Sequence, residues 1–356
     1  MTIKLPVMKP KIPVFSNVSR YLQSMDESRI YSNRGPLLSQ LEERYAEFFN
    51  VDRNNLVICS NATLALQGAA FLSEAKKFYA PAYTFPASLS AVINTGKPLE
   101  LRDINESDWT VSTNDLIDIE RCGLIYVSPF GAAIDFEKNS HRKHVIFDAA
   151  ASIGSGNFNF AELREDWVVV FSLHATKVLG IGEGGIAIFG SVTAAEKFRS
   201  WINFGFSGNR NSVLPGINAK MSEISAAYGL ASLDLWRQEE NEWSTNIGKA
   251  RDISLSLGID SITSNYAGVN PYWIADFRSE EEAMRVEVTL TSSGIGTRRW
   301  WGLGCHQMPA FKDLPGESTY PVTDAVSRRT LGLPMFRDFS EKDWDLIASN
   351  LEAALR

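Results

Sequence analysis

Two residues able to hold a carbonyl cofactor follow consecutive strand-like segments of the chain. Asp148 comes directly after the apolar run 145–147, and a carboxylate buried there is costly unless a cationic group meets it. Lys177 lies just beyond the next apolar run, 167–173, in a glycine-rich loop with few charges nearby. Burial would lower the pKa of this amine and make it a nucleophile toward carbonyls. Pyridoxal phosphate needs both groups, a lysine for its aldehyde and an acid that keeps its ring nitrogen protonated.

A third segment could hold the phosphate of such a cofactor. Residues 60–63, Ser-Asn-Ala-Thr, follow the apolar run 56–59 and would leave backbone N–H groups open to an anion at the next helix start. Ser172 adds a hydroxyl group close to Lys177. Taken singly, each feature also fits a structural role. The segment 60–63 and Asp148 could be ordinary helix caps, and Lys177 could be a solvated loop residue.

Such a site needs a sheet whose strand ends meet at one edge. Short β-like runs alternate with helical segments from residue 56 to residue 190, which indicates a mainly parallel α/β sheet covered on both faces. The long helical stretch 221–257 is followed by a pattern that predicts a smaller α+β unit. We place the boundary inside the long helix. Residues 1–240 then form the large cofactor-binding domain with an N-terminal arm, and residues 241–356 form the small C-terminal domain.

Length and composition exclude several classes of protein. The 356 residues fit about two domains. The chain has 35 Lys and Arg against 42 Asp and Glu, a net charge of −7, which argues against a general nucleic-acid binder. Three scattered cysteines favour a reducing compartment, and no apolar run approaches the roughly 18 residues needed to span a bilayer. We expect a cytoplasmic protein that binds neither nucleic acid nor membrane.

Two other motifs do not support a site. Residues 180–185, GIGEGG, match the dinucleotide fingerprint G-x-G-x-x-G, but that motif should follow a strand directly and open a helix. Here the motif leads into the strand-like run 185–190. His141 and His144 have a possible ligand spacing, but the residues between them, Arg142 and Lys143, indicate a solvated loop. We expect no metal site.

Taken in order, the segments resemble the DegT/DnrJ/EryC1/StrS family of pyridoxal-phosphate-dependent sugar aminotransferases. The matching segments are Ser60-Asn61-Ala62-Thr63, PAYTF (81–85), FDAA (147–150), FSLHATK (171–177) with GEGG (182–185), GINAKMSEISAAYGL (216–230) and SRRTLGLPMF (327–336). Order and spacing hold from about residue 30 to the end of the chain. The resemblance implies the aspartate-aminotransferase fold, fold type I, in which a mainly parallel sheet domain is joined to a smaller α+β domain.

The resemblance also implies roles for single residues. Lys177 would hold the cofactor covalently and later move a proton between the cofactor and substrate carbons. Asp148 would pair with the pyridinium nitrogen, and Phe85 would stack on the cofactor ring. The phosphate would be held by Ala62, Thr63 and Ser172. Asn218 matches an asparagine that reaches the phosphate of the neighbouring subunit's cofactor, so the resemblance implies a homodimer with shared active sites.

For the reaction, the resemblance implies transfer of an amino group from L-glutamate, released as 2-oxoglutarate, to a nucleotide-linked keto sugar. The segments 203–206 and 218–223 are most similar to members that aminate C4 of dTDP-4-keto-6-deoxyglucose. A 3-keto sugar, a GDP- or UDP-linked sugar, or an octulosonate fits the same cofactor residues. A non-catalytic homologue that binds the cofactor is the alternative from another class. Lys177 favours transamination, because dehydratases of this fold have histidine there.

Candidate substrate contacts lie mainly in the N-terminal turn, the lysine loop and the small domain. They are Asn33, Arg34, His174, Glu183, Arg298, Arg299, Trp300 and His306. Arg298 or Arg299 could meet a diphosphate or a carboxylate as a planar fork, and Trp300 could pack on a sugar or a base. An aromatic pair that only packs the small domain fits the same residues.

Three features depart from the usual family pattern. Ala151 stands where many members have histidine or glutamine near the cofactor's ring hydroxyl. The segment between Asp103 and Asp148 is shorter than usual, and Pro129-Phe130-Gly131 replaces a stretch that typically contains histidine. These departures bear on substrate selectivity more than on use of the cofactor, since the lysine, aspartate and phosphate positions are kept.

Overall fold

A seven-stranded sheet forms the centre of the computed structural model, which describes residues 3–113, 116, 120–156 and 158–356. Its strands are β1 (Leu56–Cys59), β2 (Lys77–Pro81), β3 (Leu99–Arg102), β4 (Cys122–Val127), β5 (Val145–Asp148), β6 (Val168–Ser172) and β7 (Gly185–Phe189). They lie in the order β1-β7-β6-β5-β4-β2-β3. All neighbours from β6 to β3 pair in parallel, and β7 runs antiparallel to β6 and β1. The predicted mainly parallel sheet is confirmed.

Helices cover both faces of this sheet. They are α1 (Phe15–Ser28), α2 (Pro36–Phe49), α3 (Ala62–Leu72), α4 (Pro86–Ile93), α5 (Val192–Trp201) and α6 (Glu223–Leu257). Side chains alternate along each strand, so Val169 and Phe171 of β6 pack in a layer with α1, α2 and α6. Val168 and Val170 face the opposite layer, with α3, α4 and α5. The uninterrupted apolar runs of the sequence therefore reflect burial on both faces.

A second sheet forms a smaller unit. It contains β8 (Asp260–Ser261), β9 (Trp273–Asp276) and β10 (Thr330–Leu333), which are antiparallel in the order β10-β9-β8. The accompanying helices are α7 (Glu280–Ser292), α8 (Pro321–Arg329) and α9 (Glu341–Leu355). Leu290 of α7 and Leu351 of α9 are buried in the same core as Leu331 of β10. This unit confirms the predicted α+β character of the C-terminal part.

Helix α6 connects the two sheets without a break. Its first turn is capped by Ser222, whose side chain accepts from the N–H of Ser225 at 3.1 Å, and Gly258, with φ of 64°, caps its C-terminal end. The helix crosses residue 240, and a domain division at that residue stays a prediction. None of the helices in the described part of the chain is long and apolar enough to cross a membrane.

Hydrogen bonds across the molecule hold the smaller unit against the large sheet. Asp103, directly after β3, is buried and accepts from the backbone N–H groups of Val322 and Thr323, each at 2.9 Å. A carboxylate at a helix N-terminus satisfies open N–H groups and complements the helix dipole. The start of α8 is therefore fixed to β3, an edge strand of the large sheet. This strand lies about one third of the way along the chain, far from α8 in sequence.

Candidate active site

The ends of several strands meet at one edge of the large sheet. Gly185, at the start of β7, lies opposite Cys59 on one side and opposite Ser172 on the other. Asp148, at the end of β5, pairs beside Val170 of β6. Six of the seven cofactor residues predicted from sequence lie at or after these strand ends or that of β2, namely Ala62, Thr63, Phe85, Asp148, Ser172 and Lys177, and the seventh, Asn218, lies between α5 and α6.

The Asp148 carboxyl group is buried and contacts neutral donors. Oδ2 accepts from Ser88 Oγ at 2.6 Å, and Oδ1 accepts from the N–H of Ala150 at 3.2 Å. Burial raises the pKa of Asp148, while the Ser88 and Ala150 hydrogen bonds and the charge of Lys177 oppose that rise. Among the described residues, no cationic side chain forms an ion pair with Asp148. A protonated ring nitrogen would supply the missing positive charge.

Lys177 meets a tyrosine from the smaller unit. Its Nζ donates a hydrogen bond to the hydroxyl oxygen of Tyr272 at 2.8 Å. A tight turn fixes the lysine backbone, because the N–H of Lys177 donates to the carbonyl of His174 and its carbonyl accepts from Gly180. Tyr272, just before β9, was missed by the sequence analysis. Its apolar neighbours make it look like a strand residue, and no local motif marks it.

The start of α3 leaves backbone N–H groups available to an anion. Asn61 Oδ1 accepts from the N–H of Leu64 at 2.9 Å, which leaves the N–H groups of Ala62 and Thr63 without an intrahelical acceptor. A Cβ atom on Gly185 would lie 2.5 to 2.6 Å from the backbone of Asn61 and Ala62. Any larger residue would therefore push this helix start away from the strand.

Phe85 and Asn218 both expose their side chains. The Phe85 ring, directly before α4, is 59% exposed, which is unusual for a residue of this size. Asn218 is exposed too, and its Oδ1 accepts from Lys220 Nζ at 2.7 Å. The neighbouring carbonyl of Ala219 accepts from the N–H of Ser60 at 2.8 Å. Asn218 thus lies beside the segment that leads into α3, with its side chain open to another molecule.

These groups fit pyridoxal phosphate. The buried carboxylate without a cation suits a ring nitrogen, the open N–H groups beside Gly185 suit a phosphate, and the exposed aromatic ring of Phe85 suits a stacked cofactor. No group of three or more His, Cys, Asp or Glu side chains in the described ranges is arranged to hold a metal ion.

Two of the predicted substrate residues lead from the surface toward Lys177. The exposed Arg298 guanidinium lies over the Trp300 ring, 4.7 Å from its centroid. Trp300 in turn meets the Tyr272 ring edge-on at 5.1 Å between centroids. Since Tyr272 contacts the lysine, these contacts connect the exposed Arg298 to Lys177 through Trp300 and Tyr272.

Arg299 and His306 are engaged elsewhere in the smaller unit. Arg299 donates to Glu287 Oε2 through Nε at 3.1 Å and Nη2 at 3.0 Å, and its Nη1 donates to the carbonyl of Arg328 at 2.6 Å. His306 Nε2 lies 3.1 Å from Asp324 Oδ1. The Arg299 guanidinium is held by its partners, whereas the other ring nitrogen of His306, Nδ1, is buried and has no hydrogen-bond partner in the described part of the chain. The geometry therefore gives no support to substrate binding by either residue.

The remaining candidates lie in two exposed turns. His174 and Glu183 are exposed on the lysine loop, with 3.8 Å between His174 Nε2 and Glu183 Oε1. Asn33 and Arg34 precede α2 with φ values of 64° and 61°. Arg34 Nη2 donates to the buried Glu42 at 3.2 Å, so its guanidinium is tied to α2 rather than to the cofactor residues.

An aromatic cluster occupies the region of the unusual Pro129-Phe130-Gly131 segment. Phe130 has a φ of 51° and stacks on Trp301 with 4.0 Å between ring centroids. Its ring also meets Tyr272 edge-on at 5.6 Å. A Cβ atom on Gly131 would lie 3.1 Å from the carbonyl oxygen of Ala151. Tyr272 therefore packs against a buried cluster of aromatic rings.

Comparisons with known proteins give matches over nearly the whole chain. A sequence model of the DegT/DnrJ/EryC1/StrS aminotransferase family matches residues 16–352. A dTDP-4-amino-4,6-dideoxy-D-glucose transaminase of Shigella dysenteriae is 30% identical, over 97% of each chain. DesI, solved in the presence of its TDP-sugar product, is 26% identical with a TM-score of 0.87, over 100% of this chain and 94% of DesI. The sugar aminotransferase Spr1654 of Streptococcus pneumoniae, solved in PLP and PMP forms, shares the fold at 19% identity, with TM-scores of 0.84 and 0.86 and at least 98% of each chain covered.

Proposed function

Since the chain belongs to the DegT/DnrJ/EryC1/StrS aminotransferase family, we propose that it moves an amino group from L-glutamate to a nucleotide-linked keto sugar. It is a pyridoxal-phosphate-dependent aminotransferase. One observation of this chain carries the proposal. Lys177 Nζ lies 2.8 Å from the Tyr272 hydroxyl, in the loop that follows the strand next to the one ending in the buried Asp148. Asp148 and Lys177 are the acid and the amine that transamination requires.

We assign proton transfer to Lys177. When bound, the pyridoxal group supplies an electron sink for the electron pair released at the amino-bearing carbon. Lys177 Nζ would take the proton from that carbon and deliver it to the cofactor carbon that carries the nitrogen, and Tyr272 would hold the lysine amine in place by accepting its hydrogen bond. Asp148, buried at the end of β5, would keep a proton on the ring nitrogen so that the ring stays electron-poor.

Binding of the cofactor falls to residues around the sheet edge. The N–H groups of Ala62 and Thr63 and the hydroxyl of Ser172 receive the phosphate. The exposed face of Phe85 stacks on the ring. Asn218, exposed beside its own α3 start, reaches the phosphate of a second copy of the chain. The active unit in this proposal is a homodimer with two shared sites.

For the sugar, we propose dTDP-4-keto-6-deoxyglucose. Support comes from the Shigella dysenteriae relative, whose name describes a dTDP-linked 4-amino-4,6-dideoxyglucose, and from the TDP-sugar product of DesI. Arg298 and Trp300 are available for the diphosphate and the base or sugar. A 3-keto sugar, an octulosonate, or a GDP- or UDP-linked sugar is the alternative.

A substrate panel tests this proposal. Purified enzyme with pyridoxal phosphate and L-glutamate is offered dTDP-, UDP- and GDP-linked keto sugars, and release of 2-oxoglutarate is measured. We expect the highest kcat/KM with the dTDP-linked 4-keto-6-deoxy sugar and no turnover by Lys177→Ala. Preference for another sugar would overturn the substrate assignment but leave the reaction class intact.

The non-catalytic alternative is separated by spectroscopy of the bound cofactor. The wild-type protein should show a visible absorbance band with pyridoxal phosphate that Lys177→Ala lacks. Addition of glutamate alone should convert that band to the absorbance of the pyridoxamine form. A stable band that glutamate does not change would identify a homologue that only binds the cofactor.

A further inference from the structure

Ser88 and Thr84 form a buried hydroxyl chain that ends on Asp148. Both side chains are fully buried in the first turn of α4 and the residues before it. Ser88 Oγ lies 2.6 Å from Asp148 Oδ2, and Thr84 Oγ1 lies 2.9 Å from Ser88 Oγ. Neither hydroxyl group is used by the roles assigned above to the lysine, the phosphate site or the substrate residues.

The chemistry of the groups fixes the direction of this chain. An ionised carboxylate can only accept hydrogen bonds, so Ser88 must give its single hydroxyl proton to Asp148. Ser88 is then left with lone pairs, and Thr84 becomes the donor to Ser88. Two hydroxyl groups therefore deliver one oriented hydrogen bond to the carboxylate. The hydrogen bond from Thr84 also strengthens Ser88 as a donor by polarising its hydroxyl group.

The outer end of the chain is anchored by the smaller unit. Cys305 Sγ donates to the carbonyl of Thr84 at 3.2 Å, and the N–H of Cys305 donates to the carbonyl of Ala82 at 2.7 Å. At its inner end, the N–H of Ser88 donates to the carbonyl of Phe85 at 3.1 Å. The backbone on both sides of Thr84 is thus fixed, which limits movement of the two hydroxyl groups.

We propose that Ser88, oriented by Thr84, is a positioning residue that keeps Asp148 ionised and directed toward the cofactor's ring nitrogen. The inference rests on the role proposed above for Asp148. A carboxylate at this depth tends to take up a proton, and hydrogen bonds to its charged form oppose that tendency. In the described structure, Lys177 is the charged group whose electrostatic attraction reaches Asp148. Besides Ser88, the N–H of Ala150 donates a hydrogen bond directly to the Asp148 carboxylate. Loss of Ser88 would leave one neutral donor.

Removal of the hydroxyl group tests the inference. In Ser88→Ala, we expect apoenzyme to bind pyridoxal phosphate about tenfold more weakly, since hydrogen bonds to charged groups have this strength. We also expect the acid limb of the bound cofactor's absorbance profile to move up by about one pH unit, because Asp148 loses a donor to its charged form. Thr84→Val should shift both quantities in the same direction by less.

Two further variants serve as controls. Ser90→Ala removes a hydroxyl group from the same helix at a half-buried position and should leave both measurements unchanged. Ser88→Thr keeps the hydroxyl group and should restore the wild-type acid limb. Circular dichroism and thermal melting show whether each variant folds. Should Ser88→Ala fail to fold, Thr84→Val decides by the same two measurements.

The outcomes separate this inference from the proposed function. Asp148→Asn should weaken cofactor binding and remove the acid limb. If that variant changes neither measurement, the role proposed for Asp148 fails. If Asp148→Asn has its expected effect while a folded Ser88→Ala behaves like wild type, only the positioning role of Ser88 is overturned. Equal effects of Ser88→Ala and Ser90→Ala would also overturn it, because the effect would then belong to the helix.

Discussion

The amine of Lys177 is held by a tyrosine that is itself fixed on several sides. The Tyr272 ring meets Trp300 and Phe130 edge-on, at 5.1 and 5.6 Å between centroids. Its N–H donates to Asn270 Oδ1 at 3.0 Å. A hydroxyl group on so constrained a ring can occupy only a small volume. The hydrogen bond from Lys177 Nζ to this hydroxyl group therefore holds the amine at one position and also stabilises it there.

At this scale we predict the effect of Tyr272→Phe. The substitution removes one oxygen and leaves the ring packing in place. Loss of a hydrogen bond to a charged group should lower kcat about tenfold, while KM for the keto sugar stays within about twofold. Steady-state kinetics at saturating pyridoxal phosphate and glutamate would measure both constants.

Tyr83→Phe is the matched control for that prediction. Tyr83 lies in the same aromatic cluster, but its hydroxyl group contacts Thr330 Oγ1 at 3.1 Å rather than the lysine. If both substitutions lower kcat by the same factor, the loss comes from the cluster as a whole, and the specific role of Tyr272 is refuted.

These residues also show how far sequence reasoning reaches at this scale. Apolar runs ending in Asp148 and preceding Lys177 are local patterns, so both positions could be predicted at strand ends. Tyr272 is 95 residues from Lys177, and Ser88 is 60 residues from Asp148. Their contacts depend on how separate elements pack, which no local pattern records. Arg299 is the opposite case, a residue that the sequence offered as a substrate contact. Its bond to Glu287 becomes apparent only in the folded smaller unit.

At the scale of elements, the close approach of β7 to α3 depends on one glycine. We predict that Gly185→Ala fills the space at the start of α3, because the added Cβ would lie 2.5 to 2.6 Å from the backbone of Asn61 and Ala62. The start of α3 must then move, so its open N–H groups would no longer be directed at the phosphate. We expect a loss of about 1–3 kcal/mol in the free energy of unfolding and weaker cofactor binding. Urea denaturation and pyridoxal phosphate titration measure these.

Gly248→Ala provides the contrast. This glycine lies within α6, and a Cβ atom added there meets nothing within 4 Å. Alanine in a helix interior should raise the free energy of unfolding by roughly 0.5–1 kcal/mol with no change in cofactor affinity. If Gly185→Ala bound the cofactor as tightly as Gly248→Ala, the proposed role of the close approach of β7 to α3 would be refuted.

A second element-scale prediction concerns the junction of two helices. Glu223, the first residue of α6, is buried and accepts from the N–H groups of Leu37 and Leu38 at 2.7 and 3.1 Å. It therefore caps the start of α2 as well. Glu223→Ala leaves two buried N–H groups unpaired and should lower the free energy of unfolding by on the order of 3 kcal/mol. The control is Glu240→Ala, at a half-buried position in α6, which should change the free energy of unfolding measured in urea only slightly. If Glu223→Ala had an equally small effect, its capping role would be contradicted.

Periodicity predicted most helices and strands because they are long or uniformly apolar. The sequence analysis assigned no helix to Val192–Trp201 or Pro321–Arg329 and no strand to Thr330–Leu333. The start of Pro321–Arg329 is stabilised by Asp103, which lies 220 residues from Thr323. The four-residue strand is held by its pairing with Trp273–Asp276 and by a bridge between Gly332 and Arg298. Elements of this length take their stability from distant partners, which local patterns do not contain.

On the scale of the whole molecule, the two sheets contribute different parts of one site. The large sheet carries Lys177 and Asp148, and the smaller unit brings Tyr272, Arg298 and Trp300. A net charge of −7 would repel the proposed anionic nucleotide sugar at long range, so in this proposal its phosphates are met by local cations such as Arg298. The two-domain arrangement is thereby tied to function, since neither sheet alone holds the amine and its tyrosine.

The last prediction concerns the shared site. Asn218 is exposed, and we propose that it serves the phosphate of a second copy of the chain. Lys177 and Asn218 of one chain then belong to different sites. Lys177→Ala should abolish turnover, and Asn218→Ala should lose cofactor, and therefore activity, when pyridoxal phosphate is limiting. Size-exclusion chromatography with light scattering should show a dimer in each case.

Mixing the two variants distinguishes shared from separate sites. In a mixed dimer, one site receives both substitutions and the other receives neither. After unfolding and refolding together in equal amounts, half of the dimers should be mixed, and activity should return to about a quarter of wild type by the statistics of a two-fold dimer. If each chain held its own complete site, mixing would give only the average of the two separate activities. That average, or an active enzyme that is strictly monomeric, would refute the shared site, because the intact site forms only when the two chains exchange residues.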